Sequence, residues 1–180
     1  MSNVRPRLLI IGAGGFVGSW LAARAHGRFD VIRGARRRLD SATGGPASEI
    51  CASSSTKAAA DSDEQVAVDI TQADSIAAAF AAARPELVVL TAALADIDRC
   101  QREQELAERI NYLGPLHVAR ACARHNARLL FTSTDAVFDG TKGFYREDDS
   151  PTPANFYGET KARAEAAVLD VLPVAAVVRL

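Results

Sequence analysis

A short run, Arg7 to Ile11, leads into Gly12-Ala-Gly-Gly15-Phe-Val-Gly18, and this turn constrains the fold more than any other stretch of the chain. Leu8 to Ile11 are apolar throughout and end on glycine, as a strand buried on both faces does. Phe16 to His26 then reads as a helix, with Val17, Trp20 and Leu21 on one side and Gly27 as its stop. Glycine at 12, 15 and 18 lets the chain turn sharply, lets a phosphate approach the backbone, and lets helix and strand sit close together. The helix that begins there offers free N–H groups and the positive end of its dipole to an anion. Glycines cluster in many turns; placement between a strand and a helix near the chain start makes this one specific for the pyrophosphate of a dinucleotide.

The rest of the chain repeats the strand–helix alternation. Strands are expected at Asp30 to Arg33, Val66 to Ile70, Leu87 to Ala92, Arg128 to Thr132 and Val174 to Leu180. Helices are expected around Ile76 to Ala83, over much of Glu103 to His125, and from Tyr157 to Asp170. The pattern predicts an α/β fold with a doubly wound parallel sheet, a Rossmann domain spanning residues 1–180. Right-handed crossovers then put the ligand at the carboxyl ends of the strands. Residues 40–63, rich in Ser, Ala and Gly, lack periodicity and read as a mobile insertion.

Composition narrows the function classes. A chain of 180 residues with 48% hydrophobic and 24% charged residues and a net charge of −1 gives no basis for binding nucleic acid or an acidic membrane surface. Its apolar runs are too short to span a bilayer, and no signal peptide with a cleavage site is visible, so the expected location is the cytoplasm. Three cysteines, Cys51, Cys100 and Cys122, form no Cys-x-x-Cys pair and predict neither a disulfide framework nor a metal site. His26, His117 and His125 lack chelating spacing. The acidic run Glu147 to Asp149 reads as a solvated loop, and Asn111 as a structural residue.

Cofactor preference is read after the second strand. An acid there would take a ribose 2′-hydroxyl, but the chain has Arg33-Gly-Ala-Arg36-Arg37-Arg38 and no acid until Asp40. Guanidinium groups suit a 2′-phosphate, so Arg36 and Arg37 favour NADPH, with NADH the alternative. Asp69 and Ile70 are expected at the adenine. Tyr157 and Lys161 share one face at the start of a helix. A free tyrosine, with a pKa of about 10, exchanges protons poorly at neutral pH. A neighbouring ammonium lowers that value, so the pair reads as a proton donor and its tuner.

Phe131-Thr-Ser-Thr-Asp-Ala-Val-Phe-Asp-Gly140, Tyr145-Arg-Glu-Asp-Asp149 and Asn155-Phe-Tyr-Gly-Glu-Thr-Lys161, with Leu90 to Ala93 and Glu105 to Asn111, resemble the extended short-chain dehydrogenase/reductases. The resemblance implies that Thr134 hydrogen-bonds a substrate carbonyl, that Tyr157 protonates its oxygen, and that Lys161 lowers the tyrosine pKa and holds the nicotinamide ribose. It implies that Thr91, Ala92 and Ala93 line the cofactor cleft beside Phe16 and Val17. The dehydratases of that family carry an Asp-Glu pair after the threonine, whereas here Asp135 is followed by Ala136. The implied activity is therefore NADP(H)-dependent reduction of a 4-keto group on a nucleotide-linked deoxysugar. A non-catalytic NADP-binding regulatory subunit and an NAD-dependent sugar-nucleotide epimerase are the alternatives. The resemblance also implies a homodimer and a C-terminal substrate region beyond Leu180. Leu94 and Gln101 depart from the family pattern at positions that bear on the substrate.

Overall fold

The computed structural model describes residues 5–36 and 64–180. Six strands lie parallel: β1 (Arg7–Ile11), β2 (Asp30–Ala35), β3 (Glu64–Ala67), β4 (Leu87–Leu90), β5 (Arg128–Ser133) and β6 (Ala176–Arg179). Their order across the sheet is β3-β2-β1-β4-β5-β6, the doubly wound arrangement expected from the sequence. The helices are α1 (Phe16–Ala25), α2 (Ala73–Ala83), α3 (Ile97–Arg102), α4 (Gln104–Ala107), α5 (Gly114–His125) and α6 (Phe156–Val171). The strand order reverses between β1 and β4, and the carboxyl ends of those strands frame the crevice where such sheets take ligands.

Strand alternation divides the core in two. Leu9, Ile11, Ile32, Val88, Leu90 and Phe131 face one side, where Ile76 and Phe80 of α2, Val118 and Cys122 of α5, and Ala164 and Val168 of α6 cover them. Leu8, Ile10 and Val31 face the other side and meet Ala22 of α1. Both faces are buried, so these strands read as unbroken apolar runs rather than as alternating ones.

Several element boundaries differ from the sequence reading. Strand β3 ends at Ala67 because its partner β2 ends at Ala35; the Val68 N–H closes the ladder on the Ala35 carbonyl at 2.8 Å. Val68 and Ile70 are still buried, but as the turn into α2. The long helix expected over Glu103 to His125 is divided into α4, a π-helical segment Glu108–Leu113, and α5. Pro115 in the first turn of α5 has no N–H to continue the ladder. Helix α3 precedes them unpredicted, held at its start by Asp96, whose carboxylate accepts the Arg99 N–H at 2.8 Å. Residues 40–63 and Arg37 lie outside the described residues. Among the described residues no helix is long and apolar enough to cross a membrane, and no cluster of His, Cys, Asp and Glu could hold a metal ion.

Candidate active site

The glycine turn is built by close approach. Gly12 has φ +98°, and a Cβ there would sit 2.6 Å from both the Ala92 nitrogen and the Thr91 hydroxyl. A Cβ on Gly18 would fall 2.2 Å from the Gly12 carbonyl oxygen. Both glycines are therefore required for α1 and β4 to meet the end of β1. Gly15 has no such internal constraint, its nearest neighbour being 3.4 Å away, and it starts α1 with no side-chain cap and no acid in the first turn. An uncapped, exposed helix start is open to an anion. Phe16, 82% exposed, and Val17 stand at its rim.

Backbone bonds tie this turn to its neighbours. The Gly12 and Ala13 N–H groups donate to the Gly34 carbonyl of β2, and Arg33 donates to the Ala13 carbonyl. Thr91 and Ala92 donate their N–H groups to the Ile11 carbonyl. The Thr91 hydroxyl lies 3.2 Å from the Ile11 carbonyl and 3.3 Å from that of Gly12. Thr91 and Ala92 are half-buried and Ala93 is exposed, so the segment forms one wall of the crevice.

Arg36 is exposed at the end of β2, and Asp69 lies in the turn after β3. The Asp69 carboxylate accepts the Thr71 N–H at 2.9 Å and its hydroxyl at 2.7 Å. Burial pushes the Asp69 carboxyl up, but the bonds from Thr71 and the charges of Arg36 and Arg109 outweigh it and leave the group below its ordinary range. Ile70 is buried, and Gly114 of α5 makes room for it, since a Cβ there would come within 2.8 Å of its side chain.

The candidate reacting groups, Thr134, Tyr157 and Lys161, converge where α6 meets the end of β5. Asn155 caps α6, its side-chain oxygen accepting the Gly158 N–H at 2.8 Å. Gly158 then brings the helix onto the turn after β5; a Cβ there would be 2.0 Å from the Ala136 carbonyl. This contact places Tyr157 in hydrogen-bond reach of Thr134. The Thr134 hydroxyl also accepts the Ala136 N–H at 3.2 Å and lies 3.3 Å from an Asp135 oxygen. Lys161, one helical turn on, is 2% exposed. Its ammonium donates to the Thr132 carbonyl at 2.7 Å and lies 4.1 Å from the centre of the Phe131 ring. Burial brings its pKa down to about 8, with the Glu165 charge opposing.

The spacing of Tyr157 and Lys161 predicts a lowered tyrosine pKa, but the phenol lies above its ordinary value, because burial outweighs the Thr134 hydrogen bond. The Lys161 ammonium is turned to the sheet, against Thr132 and Phe131. A phenol in this setting keeps its proton at neutral pH.

Other residues that shape the site were not legible as such. Asn111, fully buried in the π-helical segment, accepts the Leu94 N–H at 2.8 Å and donates to the Leu94 carbonyl at 3.0 Å. The Cys100 thiol donates to the same carbonyl at 3.2 Å. Together they fasten the loop after β4. The sequence marked Asn111 as structural but carried no sign of its partner. Gly158 and Asn155 stood inside a recognisable motif, yet their steric and capping tasks depend on Ala136 and on the helix start.

A parallel sheet with this order, a glycine turn after β1, and a threonine–tyrosine–lysine set at the carboxyl ends defines a Rossmann-type α/β protein. The chain belongs to the RmlD substrate binding domain family, whose model matches residues 6–180. It is 36% identical over 184 residues to dTDP-4-dehydrorhamnose reductase of Mycobacterium tuberculosis, covering 99% of this chain and 51% of that protein. It is 45% identical over 107 residues to the enzyme of the same name from Streptomyces griseus, covering 59% of this chain and 35% of that one. In structure it matches the dTDP-4-dehydrorhamnose reductase of Bacillus anthracis in complex with NADP, with a TM-score of 0.80 and 25% identity. That match covers 99% of this chain and 54% of the other. The chain thus spans about half the length of the relatives it matches end to end.

Proposed function

We propose that this chain is the cofactor-binding and proton-donating part of an NADP(H)-dependent reductase acting on a nucleotide-linked 4-keto deoxysugar. The observation that carries the reading is the convergence of Tyr157 and Thr134 above the buried Lys161, beside a glycine turn with an uncapped helix start. The turn suits a pyrophosphate because Gly12 and Gly18 let α1 pack closely on the ends of β1 and β4, while Gly15 at the uncapped α1 start places no side chain before an approaching phosphate. Arg36 would meet the 2′-phosphate, joined by Arg37; Asp69 and Ile70 would border the adenine, and Thr91 to Ala93 would line the dinucleotide.

When bound, the reduced nicotinamide supplies the hydride. The chain's own residues hold and move the proton. The Thr134 hydroxyl orients a substrate carbonyl oxygen toward Tyr157. The Tyr157 phenol, kept protonated by burial, donates its proton to that oxygen as negative charge develops there. Lys161 stays charged at neutral pH, its ammonium held on the Thr132 carbonyl near the end of β5, from where it would reach the nicotinamide ribose. Such placement supplies much of the rate, since the reacting atoms are brought together before the chemistry starts.

The test is NADPH oxidation that depends stoichiometrically on a 4-keto deoxysugar nucleotide. Tyr157→Phe should abolish it, by about 10²-fold or more, while NADPH binding followed by fluorescence persists. Unchanged turnover in that variant overturns the mechanism.

A further inference from the structure

Glu165 lies one turn beyond Lys161 on the same face of α6 and is 5% exposed. Left alone, a carboxylate four residues after a lysine draws the ammonium toward itself along the helix. That does not happen here. Arg179 of β6 grips the carboxylate with a fork, from Nε at 3.1 Å to one oxygen and from Nη2 at 2.7 Å to the other. The guanidinium also lies 4.9 Å from the centre of the Phe138 ring, which stacks on Tyr145 with centroids 4.2 Å apart. The Lys161 ammonium is thereby left to the Thr132 carbonyl.

We propose that Glu165 and Arg179 are positioning residues for Lys161: Arg179 holds the Glu165 carboxylate on β6, and the lysine ammonium stays at the floor of the crevice instead of swinging down its own helix. The pair touches no reacting group. It acts by deciding how much negative charge reaches Lys161 and from which direction.

The surroundings of Lys161 make this the controlling pair. Cys100 of α3 and Asp135 after β5 act on the Tyr157 phenol, on the same helix as Lys161. Glu108 and Tyr112 of the π-helical segment engage Arg163 on another face of α6. From β5 the ammonium meets the uncharged Thr132 carbonyl and Phe131 ring. Glu165 is the charge that acts on Lys161, and it opposes the effect of burial.

The role of Lys161 in the crevice rests on the reductase reading, but the test does not. The Lys161 side-chain resonance, labelled at the ε-carbon and assigned through Lys161→Arg, is titrated in the purified protein without cofactor or substrate. Glu165→Gln, which keeps a hydrogen-bonding partner for Arg179, should move the midpoint down by about half a unit or more, because the opposing negative charge is gone. Arg179→Met should move it up by a similar amount, because the carboxylate is bared toward the ammonium. Midpoints unchanged in Glu165→Gln, with only the melting temperature lowered, overturn the proposal and make the pair a plain structural bridge. Should Arg179→Met fail to fold, Glu165→Gln alone decides. Absence of NADPH-dependent turnover in the unaltered protein would count against the reductase reading and leave this titration standing.

Discussion

Replacing Lys161 by methionine should make the protein more stable at neutral pH while removing the proposed reductase activity. The side chain is almost wholly buried, and its pKa falls from 10.5 to about 8. Holding the charge inside therefore costs about 3 kcal/mol at pH 7. Methionine fills similar space with no charge to bury. It forfeits the hydrogen bond to the Thr132 carbonyl and the contact over Phe131, together about 1–2 kcal/mol. The net expectation is a gain of about 1–2 kcal/mol at pH 7.

The sign can be checked against pH. Because the folded-state pKa lies below the unfolded one, the unfolded chain binds the extra proton between about pH 8 and 10.5. The stability of the unaltered protein therefore carries the full cost below pH 8 and recovers it as pH rises to 10.5. Urea unfolding midpoints at pH 7 and pH 10 should converge, or cross, between the unaltered protein and Lys161→Met. A variant less stable than the unaltered protein at pH 7, with a parallel pH dependence, would show that the buried charge is fully compensated and refute the reasoning.

Gly158→Ala should destabilise the protein by about 2–4 kcal/mol and lower turnover, since its Cβ would collide with the Ala136 carbonyl at 2.0 Å and push Tyr157 from Thr134. Chemical denaturation and steady-state kinetics on the same samples separate the two losses. Arg36→Ala should weaken NADPH about tenfold or more while leaving NADH affinity nearly unchanged, as measured by fluorescence titration; equal loss for both cofactors argues against a 2′-phosphate contact.

The sequence determined the architecture because its signals are local. The apolar runs at Leu8 to Ile11 and Leu87 to Leu90, each followed by small residues and a helix, already require a parallel sheet buried on both faces. Gly12 and Gly18 announced a close approach, and the spacing of Tyr157 and Lys161 put both at the start of α6. What only the tertiary structure decided are pairings between distant segments: Asn111 with Leu94, Gly158 with Ala136, and Glu165 with Arg179. The same holds for the electrostatics. Sequence spacing placed an ammonium near a phenol and predicted a lowered tyrosine pKa, but burial of Tyr157 and the turn of Lys161 toward Thr132 reversed the sign. Spacing along a helix says which side chains share a face; how far each is withdrawn from water, and which carbonyl or charge it meets there, is set by the strands packed beneath it.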